Sequence, residues 1–299
     1  MKSINDTTAT VYRHTHYLIH ILHQLLAEFK KAHQEKKMSR RYDWGYAAHN
    51  GPDQWPDFFK SAKGDRQSPI ELHTRYIKQD SSLQPWTSSY DPATSLTIVN
   101  DGTTFRVVFD DSTDKSVLKG GPLTGTYRLR QLQFHWGSTD DYGSEHVVDG
   151  LRYAGEIHFI HWNSKYDNIT EAKKHPDGVA ILALFLKIGK AKPHLKLILE
   201  ALDCIKTKGK KAHFTEFDPT ILFPASRDYW TYQGSFTTPP CEECVTWLLL
   251  REPITVSPEQ MEKFRNLYSS SEGEIACHMV DNYRPPQPLK GREVRASFD

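Results

Sequence analysis

The chain is short of several things that would decide its class. Four cysteines in 299 residues cannot staple a fold of this length with disulfides, so reduced thiols in a reducing compartment are the expectation. No run of 18 or more apolar residues occurs, which excludes a transmembrane helix. There is no charge of one sign to speak of: 38 Lys and Arg against 37 Asp and Glu leave +1, without the electrostatic footprint of a nucleic-acid binder. Repeats, heptads and long Pro-rich linkers are also missing. What remains is the composition of an ordinary globular protein, 38% hydrophobic, 12% aromatic and 25% charged. One domain of about 250 residues fits that frame.

Residues 1–40 have a texture of their own. Leu18, Ile21, Leu22, Leu25, Leu26 and Phe29 recur at steps of three and four, the stripe of an amphipathic helix, and Lys30, Lys31, Lys36, Lys37, Arg40 and Arg41 follow. His16, His20, His23 and Gln24 interrupt the apolar core that a secretory signal needs, and no small-residue cleavage site follows it. Within residues 1–37, one arginine, Arg13, against Asp6, Glu28 and Glu35 is the wrong balance for a mitochondrial presequence. The pattern predicts a peripheral helical extension, either a solvated surface helix or one that lies on a membrane surface or a protein partner. Met38, which opens Met-Ser-Arg-Arg, is an alternative start.

From residue 41 the chain reads as short apolar stretches between turn residues, the texture of a mostly β structure. Expected strands cover Thr97 to Val99, Thr104 to Phe109, Leu129 to Trp136, Glu156 to Trp162, Ala180 to Ile188 and Val245 to Leu250. Helical spacing is confined to places such as Leu195 to Leu202 and Pro258 to Leu267, where Ser257 is an N-cap and Glu259 an early-turn acid. The prediction is one α+β domain over 41–299, built on a large antiparallel or mixed sheet.

Two strands carry chemistry. Alternation along Gln131-Leu132-Gln133-Phe134-His135-Trp136 puts Gln131, Gln133 and His135 on one face and Leu132, Phe134 and Trp136 on the other. In Glu156-Ile157-His158-Phe159, Glu156 and His158 likewise share a face. If the strands pair, His135 and His158 converge, with carboxamide and carboxylate groups behind them to fix each imidazole, which is what a zinc site needs. The same alternation is also what the wet side of a half-exposed sheet looks like, and spacing alone does not choose.

Larger blocks add to this reading. Trp44-Gly45-Tyr46, His49-Asn50-Gly51-Pro52 and Gly64-Asp65-Arg66-Gln67-Ser68-Pro69-Ile70 are followed by Phe134-His135-Trp136-Gly137-Ser138, Gly143-Ser144-Glu145-His146 and Glu156-Ile157-His158. Tyr229-Trp230-Thr231-Tyr232, Ser235-Phe236-Thr237-Thr238-Pro239-Pro240 and Arg284-Pro285-Pro286-Gln287-Pro288-Leu289 complete the series. In these blocks, from Trp44 to Phe298, the chain resembles the α-class carbonic anhydrases of the vertebrate cytosolic type. The resemblance implies a single domain around a large, twisted, mostly antiparallel β-sheet with an active-site cone on one face. It also implies a cytoplasmic, monomeric enzyme that hydrates carbon dioxide reversibly to bicarbonate and a proton.

The family holds Zn2+ with three histidines, and the resemblance places the second and third on His135 and His158 but the first on Gln133. An extended Gln reaches about as far as an imidazole, yet a neutral amide oxygen is the poorer zinc donor, so the metal is expected to be weakly held or absent. The resemblance assigns Thr237 to orient the attacking hydroxide, Glu145 to accept the threonine's proton, and Tyr46 to the catalytic surroundings. Gln131, Glu156 and the main-chain carbonyl of Asn282 would support Gln133, His158 and His135, with Gln131 free to pair with the Gln133 amide. Ile160, Ile181, Phe236, Trp247 and Thr238 would form the substrate pocket. Thr103 stands where fast members carry a proton-shuttling histidine, and it cannot titrate near pH 7. Phe236 is a bulky ring beside Thr237, as in slow members, and Arg106 and Arg130 would add positive charge at the rim. The expectation is a slow enzyme. The alternative is a catalytically inactive carbonic anhydrase-related protein acting as a binding module. Cys241-Glu242-Glu243-Cys244 has no second CxxC and no helix start, so its thiols read as ordinary.

Overall fold

A computed structural model describes residues 42–299, and Gly45–Asp299 form one unit by their internal contacts. The helix predicted within residues 1–40 lies outside the described residues. β-branched and aromatic runs pair into a sheet of thirteen strands. Its main path runs Lys211–His213, Ser95–Asn100, Phe105–Phe109, Tyr127–Trp136, Gly155–Asn163, Val179–Ile188, Val245–Leu250, Tyr229–Gly234, Arg295–Ala296 and Lys78–Gln79. Neighbours are antiparallel except where Val179–Ile188 meets Val245–Leu250 and where Arg295–Ala296 meets Lys78–Gln79. Each predicted strand is present, with ends shifted by a residue or two.

Helices are few. Pro258–Arg265 begins at Ser257, whose hydroxyl oxygen accepts the Gln260 N–H while Gln260 Oε1 accepts the Ser257 N–H. Ser257 is the N-cap and Glu259 the acid of the first turn, as expected, with Gln260 the reciprocating side chain.

Both faces of the sheet are covered, each by the residues of one parity. Leu132, Phe134, Trp136, Ile157, Phe159, Leu182 and Leu184 belong to one buried cluster. Ile160, Ile181, Ala183, Phe236, Trp247 and Leu249 belong to the second. At about 1.5–3 kcal/mol for each large apolar side chain fully buried, these clusters hold the ladder rigid beneath the polar residues that share the second face.

One glycine is essential to the approach into the site. Gly143 sits at φ 152°, and a Cβ there would lie 2.1 Å from the Ala154 carbonyl oxygen and 2.3 Å from the Gly137 nitrogen. Only glycine lets the loop pass that close to the sheet and deliver Glu145.

Candidate metal centre

Strands Tyr127–Trp136 and Gly155–Asn163 pair antiparallel with Gln133 opposite His158 and His135 opposite Glu156. A register shift between Leu129 and Gln131 leaves Arg130 unpaired, and alternation is regular from Gln131 onward. The His135 and His158 rings lie 4.6 Å apart, centroid to centroid. The face they occupy is not the wet side of a half-exposed sheet: Gln133, His135, Glu156 and His158 are all buried.

Hydrogen bonds fix both imidazoles. The Asn282 carbonyl can only accept, so His135 Nδ1–H donates to it at 2.7 Å and Nε2 carries the lone pair. That Nε2 is buried with no hydrogen-bond partner among the described residues. His158 Nε2 lies 2.8 Å from Glu156 Oε1 and donates to the carboxylate, leaving Nδ1 as its lone-pair atom. Burial, reinforced by the neighbouring His158, pushes His135 down to about 3, and burial also pushes His158 down. Both rings are therefore neutral at pH 7, the form that binds metal. An orphaned imidazole nitrogen beside a second neutral imidazole, with a carboxamide oxygen on the facing strand, is a donor set that fits a zinc ion.

Behind the rings lies a carboxylate network. Glu156 Oε2 accepts the main-chain N–H groups of Glu145 (2.9 Å) and His146 (2.8 Å), and Oε1 is 2.7 Å from His146 Nδ1. Burial by itself would raise the Glu156 carboxyl, but the facing His146 and the hydrogen bonds from His146 and His158 hold it well below the usual range. His146 Nε2 is 2.7 Å from the Tyr232 hydroxyl, which is 2.8 Å from Ser68 Oγ. Glu145 accepts the Arg284 N–H on Oε1 at 2.8 Å. Burial and the nearby Glu156 push the Glu145 carboxyl well up, with the Arg284 N–H and the Thr237 hydroxyl working against them. Glu145 Oε2 has no hydrogen-bond partner among the described residues.

Gln131 and the rim arginines each have a polar partner of opposite character. Gln131 turns its Oε1 to Arg106 Nη1 at 3.3 Å rather than to the Gln133 amide, because Arg106 stands directly across the neighbouring ladder from Gln133. The rim arginines are also offset. Arg106 Nε lies 3.0 Å from Asp101 Oδ2, and Arg130 Nη1 lies 2.8 Å from Asp111 Oδ2. Thr103 donates its hydroxyl to Asp101 Oδ1 at 2.7 Å and is fixed in the same turn.

Ile160, Ile181 and Trp247 lie side by side across three strands, Ile181 being opposite both Ile160 and Trp247. Trp247 packs edge-on against His158 at 4.9 Å, and Phe236 joins the same cluster. Thr238 is half-buried, and its carbonyl accepts the Cys241 N–H. Tyr46 packs edge-on against Trp55 at 5.6 Å, and burial together with Glu145 and Asp101 pushes its phenol well up. Sequence reasoning missed the part played by Arg284, His146, Tyr232 and Ser68 in holding the two glutamates. The one signal was that all four stand inside the resemblance blocks.

The buried sheet face, the two neutral imidazoles and the carboxylate frame define a carbonic anhydrase. Residues 50–298 match the sequence profile of the eukaryotic-type carbonic anhydrases, and the chain belongs to that family. It is 65% identical to carbonic anhydrase 3 of Sus scrofa over 256 residues, 86% of this chain and 98% of that protein. Identity is 61% to carbonic anhydrase 3 of Homo sapiens, with the same coverage, and 56% over 257 residues to carbonic anhydrase 1 of Mus musculus. No described helix is long and apolar enough to cross a membrane.

Proposed function

We propose that the chain catalyses the reversible hydration of carbon dioxide to bicarbonate and a proton, with Zn2+ held by His135 Nε2, His158 Nδ1 and the Gln133 carboxamide oxygen, at a reduced rate. The observation that carries this reading is the buried, unpartnered His135 Nε2 beside a second neutral imidazole. Zinc in such a set supplies the Lewis acidity that makes a nucleophile of water near neutral pH. Gln133 is uncharged, as a neutral histidine is, so the exchange weakens metal affinity more than it alters that acidity.

The chain's own residues do the rest. Thr237 orients the attacking oxygen by accepting its hydrogen bond, and its own proton points to Glu145, whose position Arg284 fixes. Ile160, Ile181, Phe236 and Trp247 hold the apolar substrate next to that oxygen and keep bulk water out. Tyr46 and Thr238 complete the wall. The proton leaves through water or buffer, because Thr103 has no titrating group. The slow rate follows from the weak third ligand and from this missing relay. A cytoplasmic monomer is the setting proposed, with the segment 1–40 available to a protein partner.

The test is carbon dioxide hydration by the purified chain with and without excess zinc. Hydration that rises with added zinc and rises further on Thr103→His supports the proposal. No hydration at any zinc concentration would overturn it and leave a binding module built on the same fold.

A further inference from the structure

We propose that Lys173 is a positioning residue, which fixes the Phe236 ring beside Thr237 and thereby sets how readily small apolar molecules reach the pocket. The proposal rests on the functional reading above. Lys173 follows the short helix Ile169–Ala172, whose start is held by Asn168 Oδ1 accepting the Glu171 N–H at 3.0 Å. Its own N–H donates to the Ile169 carbonyl at 3.0 Å, so the lysine projects from a fixed backbone.

Its ammonium meets two residues of one loop. Nζ lies 4.4 Å from the centroid of the Phe236 ring and 3.6 Å from Glu242 Oε1. Phe236 and Glu242 are themselves joined, the Phe236 N–H donating to the Glu242 carbonyl at 3.1 Å. Lys173 thus touches the side chains of two residues whose main chains are hydrogen-bonded to each other. Glu242 Oε2 is buried with no hydrogen-bond partner among the described residues, and its other oxygen faces the lysine. The ion pair is partly exposed and screened, at 32% and 28% side-chain exposure, so the contact that matters is the cation over the ring face. Phe236 is buried, packs in the cluster of Ile160, Ile181 and Trp247, and directly precedes Thr237. A change at Lys173 reaches the pocket through that one ring.

The test uses the full chain labelled with 4-fluorophenylalanine, the Phe236 signal being assigned by its loss in Phe236→Leu. Lys173→Met is expected to shift the Phe236 fluorine resonance, Glu242→Gln to shift it partway, and Lys173→Arg to restore it. Xenon exchange with the apolar pocket, read by 129Xe NMR, should speed up about threefold in Lys173→Met, the factor an exposed cation–π contact carries. The kcat/KM for carbon dioxide should rise by a similar factor. A merely structural lysine would lower the unfolding midpoint and leave xenon exchange unchanged. A Phe236 resonance that stays in place in Lys173→Met overturns the proposal, and so does a shifted resonance with unchanged xenon exchange. If the chain hydrates no carbon dioxide, the functional reading fails, while the fluorine and xenon measurements still decide the role of Lys173.

Discussion

Gln133 and His158 face each other as a cross-strand pair in the middle of the sheet. Directly opposed residues on an antiparallel ladder keep their Cβ atoms about 4.5–5.5 Å apart whatever the side chains are. On the proposed reading the backbone reserves the third donor position, which a carboxamide or an imidazole could fill without disturbing the frame. The proposed site then differs from a three-histidine site in one donor atom.

Asn282 is the clamp on the other side. Its carbonyl takes the His135 Nδ1–H, its Oδ1 accepts the Trp136 N–H at 2.8 Å, and its Nδ2 donates to the Thr103 carbonyl at 3.0 Å. Asn282→Ala leaves the buried Trp136 N–H unpaired and is expected to cost about 1–3 kcal/mol, read from the urea unfolding midpoint. Asn282→Asp keeps the acceptor and should recover part of that loss. Equal stability of all three proteins would contradict the clamp.

Acid stability should report a second buried imidazole. His161 lies on the far face from His135 and His158, its Nε2 2.7 Å from the Tyr90 hydroxyl, and burial pushes it down to about 3. A group depressed in the folded state contributes stability that is complete above its unfolded value, about 6.5, and is lost as pH falls toward the folded one. Below about pH 6.5 the stability of the protein should fall, His161 alone contributing up to about 1.4 kcal/mol per pH unit. His161→Phe should flatten that slope in urea unfolding measured from pH 7.5 to 4.5. Parallel slopes would show that the ring is not held neutral.

The four cysteines should divide evenly. Cys204 and Cys277 are exposed, whereas Cys241 and Cys244 are buried, and burial pushes each of these two thiols up to about 12. A thiol reagent at pH 8 should titrate two groups quickly in the native protein and four in denaturant. Rapid reaction of all four in the native state would contradict the burial of the Cys241–Cys244 segment.

The two ligand strands are legible in the sequence because alternation is a local property. Gln131 to Trp136 and Glu156 to Phe159 each spell a polar and an apolar face without reference to the rest of the chain. What the polar face becomes is not local. It is dry because Asn282 arrives 147 residues after His135, and because Arg284 reaches back 139 residues to Glu145. The free nitrogen of His135 depends on the same distant Asn282, whereas that of His158 is set by Glu156 on its own strand. The rim arginines mislead for the same reason, since a one-letter reading shows the charge of Arg106 and Arg130 but not the carboxylates that Asp101 and Asp111 bring to them. Lys173 gave no sign in the sequence, because its ring partner lies on another loop.

Zinc content measures most directly whether a carboxamide serves as the third metal donor. Purified protein and its Gln133→His variant would be equilibrated with buffered free zinc, and bound metal counted by atomic emission. Both proteins are expected to bind one zinc per chain, with the variant saturating at a free zinc concentration about 10 to 100-fold lower. Zinc binding by neither protein, or identical affinity for both, would contradict that role.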